Sequence, residues 1–303
     1  RPANATTWRG RSLSSTTAVF AVSDSAIVPG VDGVLVGHGH ADIRFAGLPT
    51  DMYCDKRNTR GFGGCPFRLA GQATVRLPSG AVMQTASVFI GGRDQYATSL
   101  VAYRSTDADA TQFEYLSTIV RAGDSSGKPS EEGPGAEHDC ALLGDNSTIL
   151  CVMRIDAGDG PETHPYRFYQ QVTSTSEGRT WGAPKEMPGL GCARPRLLVL
   201  GDTVLLSGGR RRLPPFHTTD VDLWINREGG RSGTWQHFSV SGQHNLLEPN
   251  ATRRFGPEVN STSGPRPTSS YTALMRIGER SALLTYGRDV PAPRMGFAMR
   301  IDV

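Results

Sequence analysis

Apolar residues in this chain come in short runs, and no segment repeats them at the 3.6-residue period of an amphipathic helix. Runs rich in β-branched, aromatic and aliphatic residues cover Thr17–Val22, Val34–Gly37, Ala73–Leu77, Val82–Ile90, Ser99–Tyr103, Phe113–Val120, Ile149–Arg154 and Tyr166–Thr173. They continue over Arg196–Leu200, Thr203–Ser207, Asp222–Asn226, Trp235–Val240, Tyr271–Met275, Ala282–Tyr286 and Met295–Ile301. Turn-forming residues separate several neighbouring pairs: Pro78-Ser-Gly, Gly144-Asp-Asn, Gly201-Asp and Gly278-Glu-Arg. Many short strands joined by hairpin turns predict an all-β chain built as a sandwich, a barrel or a propeller.

Internal repetition chooses among these. Ser174-Thr-Ser-Glu-Gly178-Arg-Thr180-Trp181 is echoed by Ser105-Thr-Asp107-Ala-Asp-Ala-Thr111-Gln-Phe113, and more loosely by Asn226-Arg-Glu-Gly-Gly230-Arg-Ser-Gly-Thr234-Trp235. Each follows a strand and closes on Thr and an aromatic. The polar residue and the Gly suit a tight turn whose side-chain oxygen caps backbone N–H groups. The same hairpin tip recurring along the chain predicts repeated four-stranded blades, and hence a β-propeller.

Composition fits this and removes other classes. Gly (36) and Pro (20) supply nearly a fifth of the 303 residues, as frequent turns require. A net charge of +3, from 32 basic and 29 acidic residues, gives no basis for binding nucleic acid or an anionic membrane. No run of apolar residues is long enough to span a bilayer. The chain reads as one domain over residues 1–303, with 1–16 an extended N-terminal segment. It opens on Arg1 without Met, as a processed product would.

Cysteines and asparagines point to the secretory route. Cys140 and Cys151 are equidistant from the turn in Cys140-Ala-Leu-Leu-Gly-Asp-Asn-Ser-Thr-Ile-Leu-Cys151, so they face each other where a disulfide can close. Cys54 and Cys65 bracket the Gly-rich Arg60-Gly-Phe-Gly-Gly and are placed to pair likewise; Cys192 is left over. The competing reading is five reduced thiols. Four of the seven asparagines, Asn4, Asn146, Asn250 and Asn260, begin Asn-x-Ser/Thr glycosylation acceptors.

The repeats resemble the Asp-box of the sialidase (neuraminidase) family, S-x-D-x-G-x-T-W, with Ser176 replacing the Asp in one copy. Other segments resemble that family in its order. Phe67-Arg68-Leu69-Ala70 looks like its aromatic-Arg-Ile-Pro motif, without the Pro. Arg93-Asp94, Glu137-His-Asp-Cys, Val152-Met-Arg154, Ala193-Arg194-Pro195 with Leu205-Leu-Ser-Gly-Gly-Arg210, and Ser270-Tyr271-Thr272 follow. The resemblance runs from about Phe67 to Arg288.

It implies a six-bladed propeller of four-stranded antiparallel blades with a site on its axis and no cofactor. It also implies an exo-acting, retaining hydrolase that releases terminal sialic acid or a related acidic sugar from glycans. Tyr271 would be the nucleophile, Glu137 its base and Asp94 the acid/base, with Arg68 and Arg154 clamping the sugar carboxylate. A neutral Tyr nucleophile avoids the repulsion that a carboxylate would meet from such a substrate. For the third clamp position the expected strand reads Thr219-Asp220-Val221-Asp222 and carries Asp; Arg210, beside Arg211 and Arg212, is the substitute.

The alternative is a non-catalytic sialidase-like propeller, an extracellular carbohydrate-binding or structural module, motivated by Asp220, the missing Pro and the eroded repeats. A polysaccharide lyase on a propeller is a third reading. His38 and His40, in Gly37-His-Gly-His-Ala-Asp42, hint at a metal site without a third ligand. The partners implied are sialylated or other acidic glycans; the oligomeric state is left open.

Overall fold

The computed structural model describes residues 9–13, 17–22, 41–49, 67–68, 73–88, 90, 98–121, 137–155, 168–209, 221–230, 234–255, 271–288 and 295–303. The first sheet holds β1 (Arg9–Leu13), β2 (Thr17–Val22), β3 (Ala41–Ala46), β4 (Phe67–Arg68), β5 (Thr74–Arg76), β6 (Val82–Val88), β7 (Ser99–Ser105) and β8 (Gln112–Val120). Its order is β1-β2-β3-β8-β7-β6-β4, with β5 also on β6. Only β3 and β8 pair in parallel, from Arg44↔Gln112 to Ala46↔Glu114.

The second sheet is an antiparallel meander of β9 (His138–Leu142), β10 (Ile149–Met153), β11 (Gln170–Ser174) and β12 (Lys185–Glu186). The third repeats that plan with β13 (Ala193–Leu200), β14 (Thr203–Gly209), β15 (Val221–Asn226) and β16 (Gln236–Ser239). The fourth has three strands, β17 (Ala273–Arg276), β18 (Ser281–Arg288) and β19 (Met295–Asp302). Among the described residues the four-stranded antiparallel unit is thus realised in two sheets, and no sheet closes on itself.

Consecutive sheets pack face to face in chain order, and the side-chain period of two explains how. On β10, Ile149, Cys151 and Met153 face the first sheet and share a core with Val75, Met83 and Leu100. Leu150 and Val152, pointing the other way, pack with Val204, Leu206 and Trp224 of the third sheet. On β14, Leu205 points away from that core and joins Ala282, Leu284 and Tyr286 of the fourth. Strands buried on both faces favour apolar runs: β10 is unbroken Ile149–Met153, and β15, also buried at every residue, carries Asp222 and Asn226 among its apolar residues. The first strands of the later sheets meet in sequence, β9 contacting β13 and β13 contacting β17, and β5 of the first sheet contacts β9.

The repeated turns share one device. Asp107 accepts hydrogen bonds from the N–H groups of Thr111 (3.0 Å) and Gln112 (2.9 Å) and from the Thr111 hydroxyl (2.6 Å). Ser176 Oγ accepts from the Thr180 N–H at 2.8 Å. Asn226 Oδ1 accepts from the N–H groups of Glu228 (2.8 Å) and Gly230 (3.0 Å). The Trp181 indole N–H donates back to Gly178 O and to Ser117 Oγ, each at 3.0 Å, so the ring seals its own turn.

One element departs from the expected all-β pattern. Val240–Leu247 forms a helix, α1, where the sequence predicts the end of a strand. Ser239 caps it by accepting from the Gly242 N–H at 3.0 Å. In eight residues only Val240 and His244 are buried, one pair four apart, which is too little to register as a helical period.

Cys140 and Cys151 are direct cross-strand partners on β9 and β10 and are joined by a disulfide. Cys192 is a buried thiol whose Sγ lies 3.3 Å from Asp222 Oδ2. Cys54 and Cys65 lie outside the described residues. The closed loop has a sequence separation of 11, for which loop-closure entropy gives about 3 kcal/mol. A Cys140→Ser, Cys151→Ser double variant should therefore unfold at lower urea with a somewhat steeper slope, as the freed unfolded chain exposes more surface, losing about 3 kcal/mol of stability in equilibrium denaturation.

Candidate functional site

Three segments deliver the cluster. Glu137 immediately precedes β9, Arg194 is the second residue of β13, and Tyr271 lies two residues before β17. All three therefore sit where the first strands of their sheets begin, at one end of the line β9, β13, β17. Arg154 follows the last residue of β10, and its N–H donates to Glu137 O at 2.9 Å, continuing the β9–β10 ladder by one rung. Tyr271 is anchored through its neighbour, since the buried hydroxyls of Thr272 and Ser207 lie 2.8 Å apart.

Glu137 is the centre of this cluster. The Tyr271 hydroxyl donates to Glu137 Oε1 at 2.7 Å. Arg154 Nη1 donates to Oε2 at 2.6 Å, and the Arg194 N–H reaches the same oxygen at 2.9 Å. The Arg194 guanidinium carbon lies 5.0 Å from the centre of the Tyr271 ring, within cation–π range. Arg194 has φ +31°, an uncommon backbone for a residue with a Cβ, at the point where β13 shifts register against β14 between Ala193 and Arg196.

Protonation follows from these contacts. Burial pushes the Glu137 carboxyl up, but the Arg154 charge and the hydrogen bonds from Arg154, Tyr271 and the Arg194 amide outweigh it and leave Glu137 below the ordinary range. Burial, then the hydrogen bond to Glu137 and its negative charge, push Tyr271 up to about 12. Glu137 is thus a carboxylate at neutral pH and Tyr271 a neutral phenol. The phenol can pass its proton to Glu137 only as charge develops on its oxygen during attack. At rest the pair is a hydrogen bond, and in a nucleophilic step it is a nucleophile with its base. Tyr271 is 47% exposed, so its ring is open to a ligand.

A second carboxylate stands two residues along β9, on the same face as Glu137. Asp139 is buried, accepts from the Leu197 N–H at 2.8 Å through Oδ2, and accepts from the Cys140 N–H at 3.0 Å through Oδ1. Burial raises it to about 6, against the Leu197 hydrogen bond and the nearby Arg196 charge. Asp139 and Arg196 also line a cavity of about 500 Å³ with Thr74, Arg76, Ala273 and Leu274. This cavity does not include Tyr271 or Glu137; it lies further along the same first strands.

Of the residues singled out from sequence, the structure brings together Tyr271, Glu137 and Arg154. Arg68 pairs through its backbone with Ser87 on β6, and its side chain is outside the description. Asp94 and Arg210 lie outside the described residues, as do His38, His40, Asp220, Asn4 and Asn260. Asn146 is exposed at the β9–β10 turn, and Asn250 is exposed at the start of a 3₁₀ turn, Ala251–Arg253. Among the described residues no group of His, Cys, Asp and Glu is arranged to hold a metal ion, and no helix is long and apolar enough to cross a membrane.

Sequence reasoning gave no role to Arg194 or Asp139. Two signals were present. Glu137-x-Asp139 places two acids on one face of a strand. Arg194-Pro195-Arg196 puts a residue without an N–H on a strand otherwise fit for pairing, as at sheet edges and bulges.

No protein-family model matches the chain, and no curated protein matches it. Among solved structures the chain is similar to a protein of unknown function from Dyadobacter fermentans. The TM-score is 0.57 at 16% identity, over 97% of this chain and 75% of that one. This shows a shared fold over almost the whole length. Weaker likenesses reach the Hadza microbial sialidase Hz136, with TM-score 0.48 and 14% identity over 93% of this chain and 52% of that one. The α-L-arabinofuranosidase Arb93A from Fusarium graminearum gives TM-score 0.47 and 12% identity, over 75% of this chain and 61% of that one. The chain matches only about half to three-fifths of the length of these two enzymes.

The cluster sets a pH dependence of stability. Glu137 titrates lower folded than unfolded, so its contribution is complete above the ordinary Glu range and is lost as pH falls through its folded value. Urea midpoints measured from pH 6 downward should fall below about pH 4.5 in the wild type. Glu137→Gln should flatten that acid slope. At pH 7 the same variant should be less stable by about 3 kcal/mol, because the buried ion pair between Arg154 and Glu137 is broken.

Proposed function

We propose that this chain is an exo-acting, retaining glycoside hydrolase that releases terminal sialic acid or a related acidic sugar from glycans. The observation that carries the reading is the 2.7 Å hydrogen bond from the Tyr271 hydroxyl to Glu137, with Arg154 on the carboxylate and the Arg194 guanidinium over the phenol ring. A tyrosine paired with a carboxylate among arginines suits attack at an anomeric carbon that bears a carboxylate. We read the successive face-to-face sheets as blades of a six-bladed propeller, with the cluster at its axis.

In this scheme the substrate carboxylate is held by arginines drawn from Arg154, Arg194, Arg68 and Arg210. Tyr271 Oη forms a bond to the anomeric carbon while its proton passes to Glu137. The bond from that carbon to the leaving oxygen breaks, and Asp94 protonates the oxygen. In the second step Asp94 takes a proton from water, whose oxygen attacks the same carbon. The Tyr271 oxygen leaves and recovers its proton from Glu137. Two inversions give retention. Arg194 is a further candidate for the third clamp position beside Arg210, supported by its guanidinium lying 5.0 Å from the centre of the Tyr271 ring.

An extracellular setting fits the Cys140–Cys151 disulfide and the exposed acceptors at Asn146 and Asn250. Glycan attachment at these two asparagines is part of the proposal and would add mass removable by an N-glycan amidase.

The deciding experiment is release of a fluorogenic phenol from an α-sialoside by the full chain, beside Tyr271→Phe. Turnover is expected in the wild type, with kcat lower by at least about 10²-fold in the variant. The acid limb of the wild-type kcat/KM profile should lie below the ordinary Glu range, because Glu137 must be ionised to act as base. Folded wild type that hydrolyses no acidic glycoside, yet binds sialylated glycans, would instead mark a binding module.

A further inference from the structure

The first strand of the third sheet, β13, has an open edge. Its partner β14 lies on one side only, so alternate N–H groups point away from the sheet. Two of these are taken by carboxylates of a different sheet: the Arg194 N–H by Glu137 at 2.9 Å and the Leu197 N–H by Asp139 at 2.8 Å. Pro195, between them, has no N–H, and the register of β13 shifts over this stretch. Glu137 and Asp139 thus stand in for two rungs of a ladder across a sheet boundary, with the strained Arg194 at one rung.

We infer that Asp139 is a positioning residue for the Tyr271–Glu137 pair. By holding the Leu197 amide it fixes the bulged start of β13, and with it the Arg194 amide on Glu137 and the Arg194 guanidinium over the Tyr271 ring. Asp139 touches neither Tyr271 nor a ligand there; it acts through Arg194. Arg194 and Pro195 fall outside the β13–β14 register, which passes from Ala193↔Gly209 to Arg196↔Ser207, and Arg194 has φ +31° there. A residue held in such a conformation persists because its surroundings impose it; on the C-terminal side these are the Arg196–Ser207 pair within the sheet and, from outside it, the Leu197–Asp139 bond. Its second oxygen is held by the Cys140 N–H, and Cys140 is tied by its disulfide to β10, so the restraint is itself rigid. The kinetic consequence rests on the glycosidase reading; the structural one does not.

The test compares Asp139→Ala and Asp139→Asn with wild type in the full chain, by residue-resolved amide exchange and by sialoside kinetics. In Asp139→Ala, exchange should quicken at least tenfold at both Leu197 and Arg194, although only Leu197 bonds to Asp139. Asp139→Asn keeps a carbonyl oxygen for Leu197 and should restore Arg194 protection to within about threefold of wild type. In the same Ala variant kcat should fall by about 10- to 100-fold with KM changed less than threefold, and Asn should recover the larger part. If Asp139→Ala does not fold, Asp139→Glu, which moves the carboxylate by one methylene, takes its place with the same expectation at Arg194. Faster exchange at Leu197 with Arg194 within twofold of wild type overturns the inference. So does a kcat in the folded variant within twofold of wild type. Coupled exchange in a protein that turns over no sialoside supports the positioning role and removes the glycosidase reading alone.

Discussion

The structure depends on how an open sheet edge is satisfied. A strand at the rim of a sheet presents N–H and C=O groups with no strand to meet them, and buried ones must find partners. On β13 those partners come from side chains of the adjoining sheets. Carboxylates from the start of β9, Glu137 just before it and Asp139 within it, take its N–H groups, and the guanidinium of Arg276 on β17 donates to Val199 O at 2.5 Å. Apolar faces hold the sheets together, but they are tolerant of sliding. The charged contacts at the edge are directional and fix how the beginnings of the first strands meet. The candidate site is built from the same bonds, so Glu137 is both a structural tie and a chemical group.

This dual use explains the electrostatics. A carboxylate that accepts from a guanidinium, an amide and a phenol is strongly held as an anion despite burial. That anion keeps Tyr271 protonated at rest. The two partners therefore shift in opposite directions for one reason, and the proton between them has a defined owner, the Tyr271 oxygen.

Much of the strand pattern was legible in the sequence. Thr17–Val22, Val82–Val88, Ile149–Met153 and Met295–Asp302 appear close to where the apolar runs predict them, since buried strands need such runs. The Cys140–Cys151 pairing followed from hairpin symmetry. What stayed hidden is instructive. Lys185–Glu186 is a strand of two charged residues, formed because β11 offers an edge and with no apolar signal of its own. Helix α1 is set by a Ser cap and tertiary packing of His244 against Phe255, Tyr286 and Phe297. Tyr271, Glu137 and Arg154 are distant in sequence and were associated only through family likeness. Arg194 and Asp139 escaped because their importance lies in backbone groups across a sheet boundary, which no side-chain motif encodes.

The two-faced central strands carry a consequence for how the molecule comes apart. Because β10 lends Ile149, Cys151 and Met153 to one core and Leu150 and Val152 to the next, the second sheet shares both its faces with its neighbours, whereas the first keeps a core of its own around Phe45, Tyr103 and Phe113. Melting the second sheet strips cover from the first and the third at once, and β14 passes the same debt to the fourth. Partial opening is therefore penalised wherever two sheets share a core, and across those boundaries thermal unfolding becomes a collective event rather than a peeling of separate modules.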